Sequence, residues 1–425
     1  MTPRSKALKR RSTVAAIDVG STKVAVIVGD TGDNGEARIL GIGVAPASGL
    51  TRGVIDNIQS ARESIAIAVE KAEQSCGMRI LSAVVGISGS HITSQNNRGI
   101  IAIPDRSRPI SLDDRARVLE SAGQIAIPTN RQVLRIIPRG YWVEGTDQVS
   151  DPVGMYGGRL DAETHIITAA VSAVQNLTKC VEGAGVQVDD IVLESLASSM
   201  SVVEEQERIQ GVCVIDIGGS TTSLAVYDEG TIAHTACLPV AGSHLTHDLA
   251  RVLRCPWESA ERVKCEFGAA YADASTANDT VELQAFGTQT QKRVQLLHVN
   301  EILQARAEEI LEMVGIELKR AGYLDRLAAG VVLTGGSSLL RGFAELAEDK
   351  LGIPARVGRP HGYSGLTDLI GTPSFATAIG LVEYALGDRE VRYMEPLPAS
   401  RYDMPGGSGG VFRRLAAFGR SFLPQ

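Results

Sequence analysis

Residues 214 to 223 read VIDIGGSTTS: an apolar run enters Asp216, and two glycines and four hydroxyl residues follow it. A buried strand of this kind ends with a carboxylate beside a turn of bare backbone. The chain has already done this 198 residues earlier, in AIDVGSTKVAVIV at 16 to 28, where Asp18 stands in the place of Asp216. The first copy continues into KVAVIVGDTGDNGEARILGIGVAP and the second into TTSLAVYDEGTIAHTACLPV, each with two β-rich runs about a turn, DNG or DEG. Helical periodicity follows in NIQSARESIAIAVEKAEQSCG and in SHLTHDLARVL. The pattern predicts a duplicated strand-strand-strand-helix unit with a crevice between the copies.

Glycine turns expose backbone N–H groups with no Cβ in the way, and Ser or Thr hydroxyls add donors, a combination suited to phosphate oxygens. That accounts for Gly20-Ser21-Thr22 and Gly218-Gly219-Ser220-Thr221. Asp18 and Asp216 are placed to hold a hydrated magnesium ion between the turns, because Mg²⁺ keeps several waters and takes few protein carboxylates. Lys23 supplies a point charge for the phosphates. A third glycine turn, Thr334-Gly335-Gly336 in GVVLTGGSSLLRGF at 330 to 343, lies between an apolar strand and a helix start, where a flat ring can rest on the backbone.

Composition agrees with a globular chain. The 425 residues are 44% hydrophobic and 21% charged, enough for two sizeable cores. A formal charge of -7 argues against a general nucleic-acid binder. The six cysteines contain no C-x-x-C pair, which lowers zinc and disulfide readings. MTPRSKALKRRS is basic but no secretory apolar core follows it, and no run of about 18 apolar residues occurs, so a cytoplasmic protein is expected.

The three glycine motifs in this order resemble the actin, Hsp70 and sugar-kinase superfamily, whose two halves clamp ATP. More closely, the chain resembles the FtsA family of bacterial actin-like division proteins. Further stretches carry that likeness: GISGSHITSQNNRG at 86 to 99, RQVLRIIPRGYWVEG at 131 to 145, DPVGMYGGRLDAETHIIT at 151 to 168, LESLASSMSVV at 193 to 203, ERVKCEFGAA at 261 to 270 and SFATAIGLVEYA at 374 to 385. The likeness runs from about residue 13 to 386 and resumes in the last 15 residues.

The resemblance implies an α/β, actin-like, two-lobed ATPase fold with an inserted subdomain on the first lobe and a C-terminal amphipathic helix. It implies a basic leader over 1–12, a first lobe over 13–83, 167–205 and 373–386, and an insert over 84–166. The second lobe takes 206–242 and 321–372, with its small subdomain over 243–320. It puts Asp18, Gly20, Ser21, Thr22 and Lys23 on one side of the ATP phosphates and Asp216, Gly218, Gly219, Ser220 and Thr221 on the other. Gly335, Gly336 and Ser337 would face adenosine, and Glu261, Lys264 and Gly268 would line the ribose and base pocket. Sequence alone reads Glu261 and Lys264 as a solvated helix face. Two departures stand out: Ser220 where the family more often has glycine, and Ser223 where it frequently has an acid. The lost acid bears on hydrolysis more than on binding and implies at most weak ATPase activity.

In the family the insert supports polymer contacts, and the tail of the tubulin-like protein FtsZ docks on the second lobe's small subdomain. Arg306 and Glu309, on the amphipathic run NEILQARAEEILEMVGIELKR, match the positions that would contact it; their plainer reading is an i, i+3 surface pair. A small-molecule kinase would instead need a general base such as Asp105, Asp113 or Asp114, all in turn or helix-start contexts. An adaptor of another membrane machine, such as a pilus, is a further alternative. His244 and His247 with Asp248 lack a well-spaced third ligand and read as a helix start capped by Ser243.

After about residue 386 periodicity stops, and residues 387–410 end in a glycine-serine hinge that behaves as a tether. In VFRRLAAFGRSFLPQ, residues 411–425, Phe412, Leu415, Phe418 and Phe422 fall on one helical arc and Arg413, Arg414 and Arg420 opposite. A short cationic helix on a loose tether suits an anionic bilayer surface. The reading is an ATP-binding division protein that holds FtsZ at the cytoplasmic face of the inner membrane, polymerises, and recruits later division proteins.

Overall fold

The computed structural model describes residues 13–32, 35–145, 147–286 and 291–387. The expected leader, the tether after 387, the terminal helix and the tip of the DNG turn lie outside the described residues.

Two sheets repeat one pattern. In the first, Ala37–Pro46, Lys23–Thr31, Val14–Val19, Ser82–Ile87 and Gln187–Leu193 are successive neighbours, with Tyr363–Gly365 added at the edge. In the second, the order is Thr231–Leu238, Thr222–Asp228, Val212–Ile217, Val331–Thr334 and Ala355–Val357. Each is an antiparallel meander continued by parallel strands. The register repeats as well: Asp18 pairs with Ala25 and Asp216 with Ser223.

The helices Ile58–Cys76 and Val171–Gly183 pack beside one another, and Glu194–Val202 and Ala376–Leu386 form a second pair. In the second pair a Cβ on Gly380 would stand 1.7 Å from the Ala197 carbonyl, so only glycine permits this approach. One buried cluster runs from Ile17, Val26 and Ile65 through Val202 to Val214 and Val332, so the lobes share a core at the base of the crevice.

The helix Leu296–Ala321 has two allegiances. Val299 and Leu303 lie in a cluster with Leu245, Leu249 and Val263, whereas Leu311, Val314 and Leu318 lie in the cluster under the second sheet. The helix thus runs from one cluster into the other and ends at Ala321, beside the expected boundary at 320.

Thr93–Ala102, Arg159–Ala170 and Arg131–Val143 make a separate antiparallel sheet, with the helix Leu112–Gly123 against it. The strand Ser82–Ile87, which the expected boundary at 84 would cut, pairs with Val14–Val19 in the first large sheet. The insert also touches the second lobe. Ser94 Oγ donates to the Thr235 carbonyl at 2.8 Å and Asn96 Nδ2 to the Ala233 carbonyl at 3.1 Å. Buried His165 joins that seam through Asn96 Oδ1 at 2.7 Å and Thr235 Oγ1 at 3.0 Å. Burial lowers its pKa to about 3, so the ring is neutral.

Candidate functional site

Both hairpins close in the same way: Val19 pairs with Val24 around Gly20–Lys23, and Ile217 with Thr222 around Gly218–Thr221. The turns face each other across a cleft of about 1140 Å³. Their hydroxyls meet, Ser21 Oγ against Ser220 Oγ, and a Cβ on Gly219 would stand 2.5 Å from Thr22 Cγ2. Gly20, Gly218, Gly336 and Thr221 also line this cleft.

The third turn closes against the second. Gly335 has φ +82°, and a Cβ there would meet Asp216 Oδ1 at 2.4 Å. Its glycine is therefore needed beside the carboxylate itself, whatever lies farther out in the cleft. Ser337 Oγ donates to the Gly218 carbonyl at 2.8 Å, tying the two turns together.

Glu261 and Lys264 are not a solvated helix face. Lys264 Nζ donates to Glu261 Oε2 at 2.8 Å, to Thr246 Oγ1 at 2.9 Å and to the Gly242 carbonyl at 3.4 Å. The pair joins the helices Gly242–Leu253 and Trp257–Phe267, and with Gly268 it lines the same cleft. Burial pushes the Glu261 carboxyl up, but Lys264, Thr246 and Cys265 outweigh it and leave the pKa below its ordinary value.

The electrostatics are concentrated at the bottom. Burial raises the Asp18 pKa to about 7, opposed by Lys23 and assisted by Asp216. Burial also raises Asp216, against hydrogen bonds from Thr377, at 3.0 Å, and from Ser198. Burial and then the charge of Asp18 push Glu194 well above the ordinary carboxylate range. Burial pulls Lys23 down while Asp18 and Asp216 pull it up. Its Nζ lies 3.2 Å from Ser374 Oγ and 3.3 Å from the centroid of the Phe375 ring.

Glu194, Ser198, Ser374, Phe375 and Thr377 escape sequence reasoning, although LESLASSMSVV and SFATAIGLVEYA contain them. Glu194 opens its helix as a lone acid among small residues, and that is its only local signal.

All sixteen residues expected at the nucleotide line this one cleft. Arg306 and Glu309 lie apart from its lining. Arg306 is already paired with Asp248, Nε to Oδ2 at 2.5 Å and Nη2 to Oδ1 at 3.1 Å, and with Glu309. This pairing takes Asp248 away from the histidines. His244 Nδ1 instead accepts from the Ala241 N–H at 3.2 Å, so Ala241, not Ser243, is the cap. Asp114 accepts from Arg108 at 2.6 and 3.1 Å and from Ser111, which keeps its carboxyl far below the ordinary range. An acid so engaged makes a poor general base.

Residues 213–380 match the family model described as "Cell division protein FtsA", and residues 89–168 match "SHS2 domain inserted in FTSA". A "Cell division protein FtsA" of Pseudomonas aeruginosa is 40% identical over 402 residues, covering 95% of this chain and 96% of the relative. Relatives of the same description from Bacillus subtilis and Escherichia coli are 35% and 33% identical, covering 89% and 88% of this chain and 84% and 90% of their own lengths. The chain belongs to the FtsA family.

The solved "PilM-PilN type IV pilus biogenesis complex" matches with a TM-score of 0.62 at 16% identity, covering 88% of this chain and 99% of that one. The "MreB 5 of Spiroplasma citri bound to AMPPNP" matches with a TM-score of 0.52 at 14% identity, covering 89% and 97%. The fold is actin-like, with the FtsA insert in the first lobe. Among the described residues no helix is long and apolar enough to cross a membrane.

Proposed function

We propose that this FtsA-family chain binds Mg-ATP between its lobes and works in division as an adaptor that polymerises, holds FtsZ at the inner membrane and recruits later division proteins. The observation that supports it best is the pair of duplicated turns brought together at Ser21 and Ser220, each preceded by an aspartate on its strand, Asp18 buried and Asp216 half-buried. The donors suit phosphate oxygens, and the glycines leave the backbone open to them. The AMPPNP bound by the Spiroplasma protein of the same fold points the same way. Buried Asp18 and half-buried Glu194 and Asp216 have carboxyls whose pKa is raised chiefly by desolvation, and a divalent cation would suit such a set by offsetting the cost of ionising them side by side. Asp18 and Asp216 would hold magnesium through its waters, and the ion would neutralise phosphate charge. Glu261, Lys264 and Gly268, which line the cleft, would receive the ribose and base, and Gly335, Gly336 and Ser337 would face adenosine. Ser223, opposite Asp216 in the ladder, adds no fourth acid to the cluster and fits binding with slow turnover.

The FtsZ tail would dock at Arg306 and Glu309, where Arg306 is held by Asp248 and Glu309. Phe412, Leu415, Phe418 and Phe422, with Arg413, Arg414 and Arg420, would attach the chain to anionic lipid. The division relatives at 33 to 40% identity favour this reading over a pilus adaptor. A fluorescent ATP analogue tests the cleft: the chain should bind it with Mg²⁺, and Asp216→Ala should weaken it at least tenfold. Equal affinity in the variant would refute the assignment.

A further inference from the structure

The segment Thr372–Thr377 touches Lys23, Asp216 and the third glycine turn. The Pro373 carbonyl accepts from the Gly335 N–H at 3.2 Å and from Thr334 Oγ1 at 3.3 Å. Thr377 holds Asp216, while Ser374 and Phe375 hold Lys23. We propose that Phe375 is a positioning residue for Lys23, its ring face keeping the ammonium aimed at an anionic group bound between the two hairpin turns. The proposal rests on the nucleotide reading above.

A lysine side chain has four rotatable bonds and little shape of its own. Left alone beside Asp18 and Asp216, the ammonium would be drawn onto the carboxylates and away from any incoming anion. An aromatic face attracts a cation through its quadrupole without carrying charge, so it holds the ammonium and leaves its charge available. The placement fits that task. Lys23, Ser374 and Thr377 line the cleft but Phe375 does not, so the ring stands behind the ammonium and an anion can arrive from the open side. The ring is itself fixed: it packs against the core that contains Ala378, Ile379 and Val382, and the Phe375 N–H donates to the Thr372 carbonyl at 3.0 Å.

The test measures Mg-ATP and adenosine affinity for the wild-type chain, Phe375→Leu, Phe375→Tyr, Lys23→Ala and Lys23→Ala with Phe375→Leu. Leucine keeps apolar volume and loses the quadrupole; tyrosine keeps both. Phe375→Leu should weaken ATP roughly tenfold, about 1.4 kcal/mol, within the range for a desolvated cation–π contact. Adenosine affinity should stay unchanged, which also shows that the pocket is folded. Phe375→Tyr should bind ATP as the wild type does, and Phe375→Leu should add nothing in the Lys23→Ala background. A wild-type chain that binds no ATP refutes the nucleotide reading and this proposal with it. ATP binding that falls with Lys23→Ala but not with Phe375→Leu overturns the proposal alone. So does an equal loss of ATP and adenosine, or a loss that persists without Lys23.

Discussion

Replacing Asp18 with asparagine should stabilise the nucleotide-free chain, and more so as pH rises. Asp18 is only 7% exposed, and its pKa moves from 3.8 to about 7, burial being the largest cause. Between those values the folded chain holds a proton that the unfolded chain has released. Stability contributed by this carboxyl is therefore fully present below about pH 4 and is lost as pH rises through about 7. The loss accumulates at about 1.4 kcal/mol per pH unit and reaches about 4 kcal/mol by pH 8. The asparagine side chain carries no charge at any of these pH values. The difference between variant and wild type should thus grow by about 2 to 3 kcal/mol from pH 5 to pH 8 and then flatten, since groups that do not interact with Asp18 cancel in the comparison. Denaturant unfolding in EDTA at pH 5, 6, 7 and 8 measures it. A difference that is constant with pH, or that shrinks toward pH 8, would refute the claim that Asp18 ionises at a cost.

Thr377→Val removes the hydroxyl that donates to Asp216 and should weaken Mg-ATP about ten- to a hundredfold, the worth of a hydrogen bond to a charged group; calorimetry reads it. Arg306→Glu would oppose Asp248 and Glu309 and loosen the small subdomain, so tail docking is better tested with Arg306→Glu and Asp248→Arg together. That pair should keep the thermal midpoint near the wild-type value yet lose capture of an FtsZ tail peptide, and unchanged capture would move the docking surface elsewhere. Phe418→Glu should release the chain from anionic liposomes in co-sedimentation while ATP binding persists, and wild-type sedimentation would point to the basic leader instead.

The duplicated turns were legible in the sequence because their chemistry is local: strand, aspartate, glycines and hydroxyls follow one another within ten residues. The matching sheet orders follow from that duplication. The rest of the site depends on distances along the chain that no periodicity reports. Thr377 reaches Asp216 across 161 positions and Ser374 reaches Lys23 across 351. Glu261 and Lys264 looked like any helix face until Thr246 and the Gly242 carbonyl met them. The cap at Ala241 was illegible for a different reason, since the acceptor is a histidine ring three residues inside the helix rather than a hydroxyl at its start. His165 alternates in a strand like its neighbours, and only packing against Thr235 makes it part of a seam between the insert and the second lobe.

The two turns share a backbone but not a charge. Position 23 is a lysine in the first copy and its counterpart, Thr221, is neutral in the second. The Lys23 ammonium opposes the rise of Asp18 and Asp216, yet burial keeps both of them, and Glu194, above their ordinary values. A bare triphosphate would bring further charge of the same sign to this cluster, and the turn hydroxyls and N–H groups offer only dipoles against it. The balance changes when a divalent cation arrives with the phosphates, because each carboxyl can then ionise against positive charge. The glycines thus leave the turns open to phosphate oxygens, while the bottom of the cleft sets Asp18, Glu194 and Asp216 around the one ammonium of Lys23. On the nucleotide reading proposed above, that combination would favour the metal-bound form of a nucleotide over the free one, and the preference would rest on Asp18 and Asp216 more than on Lys23.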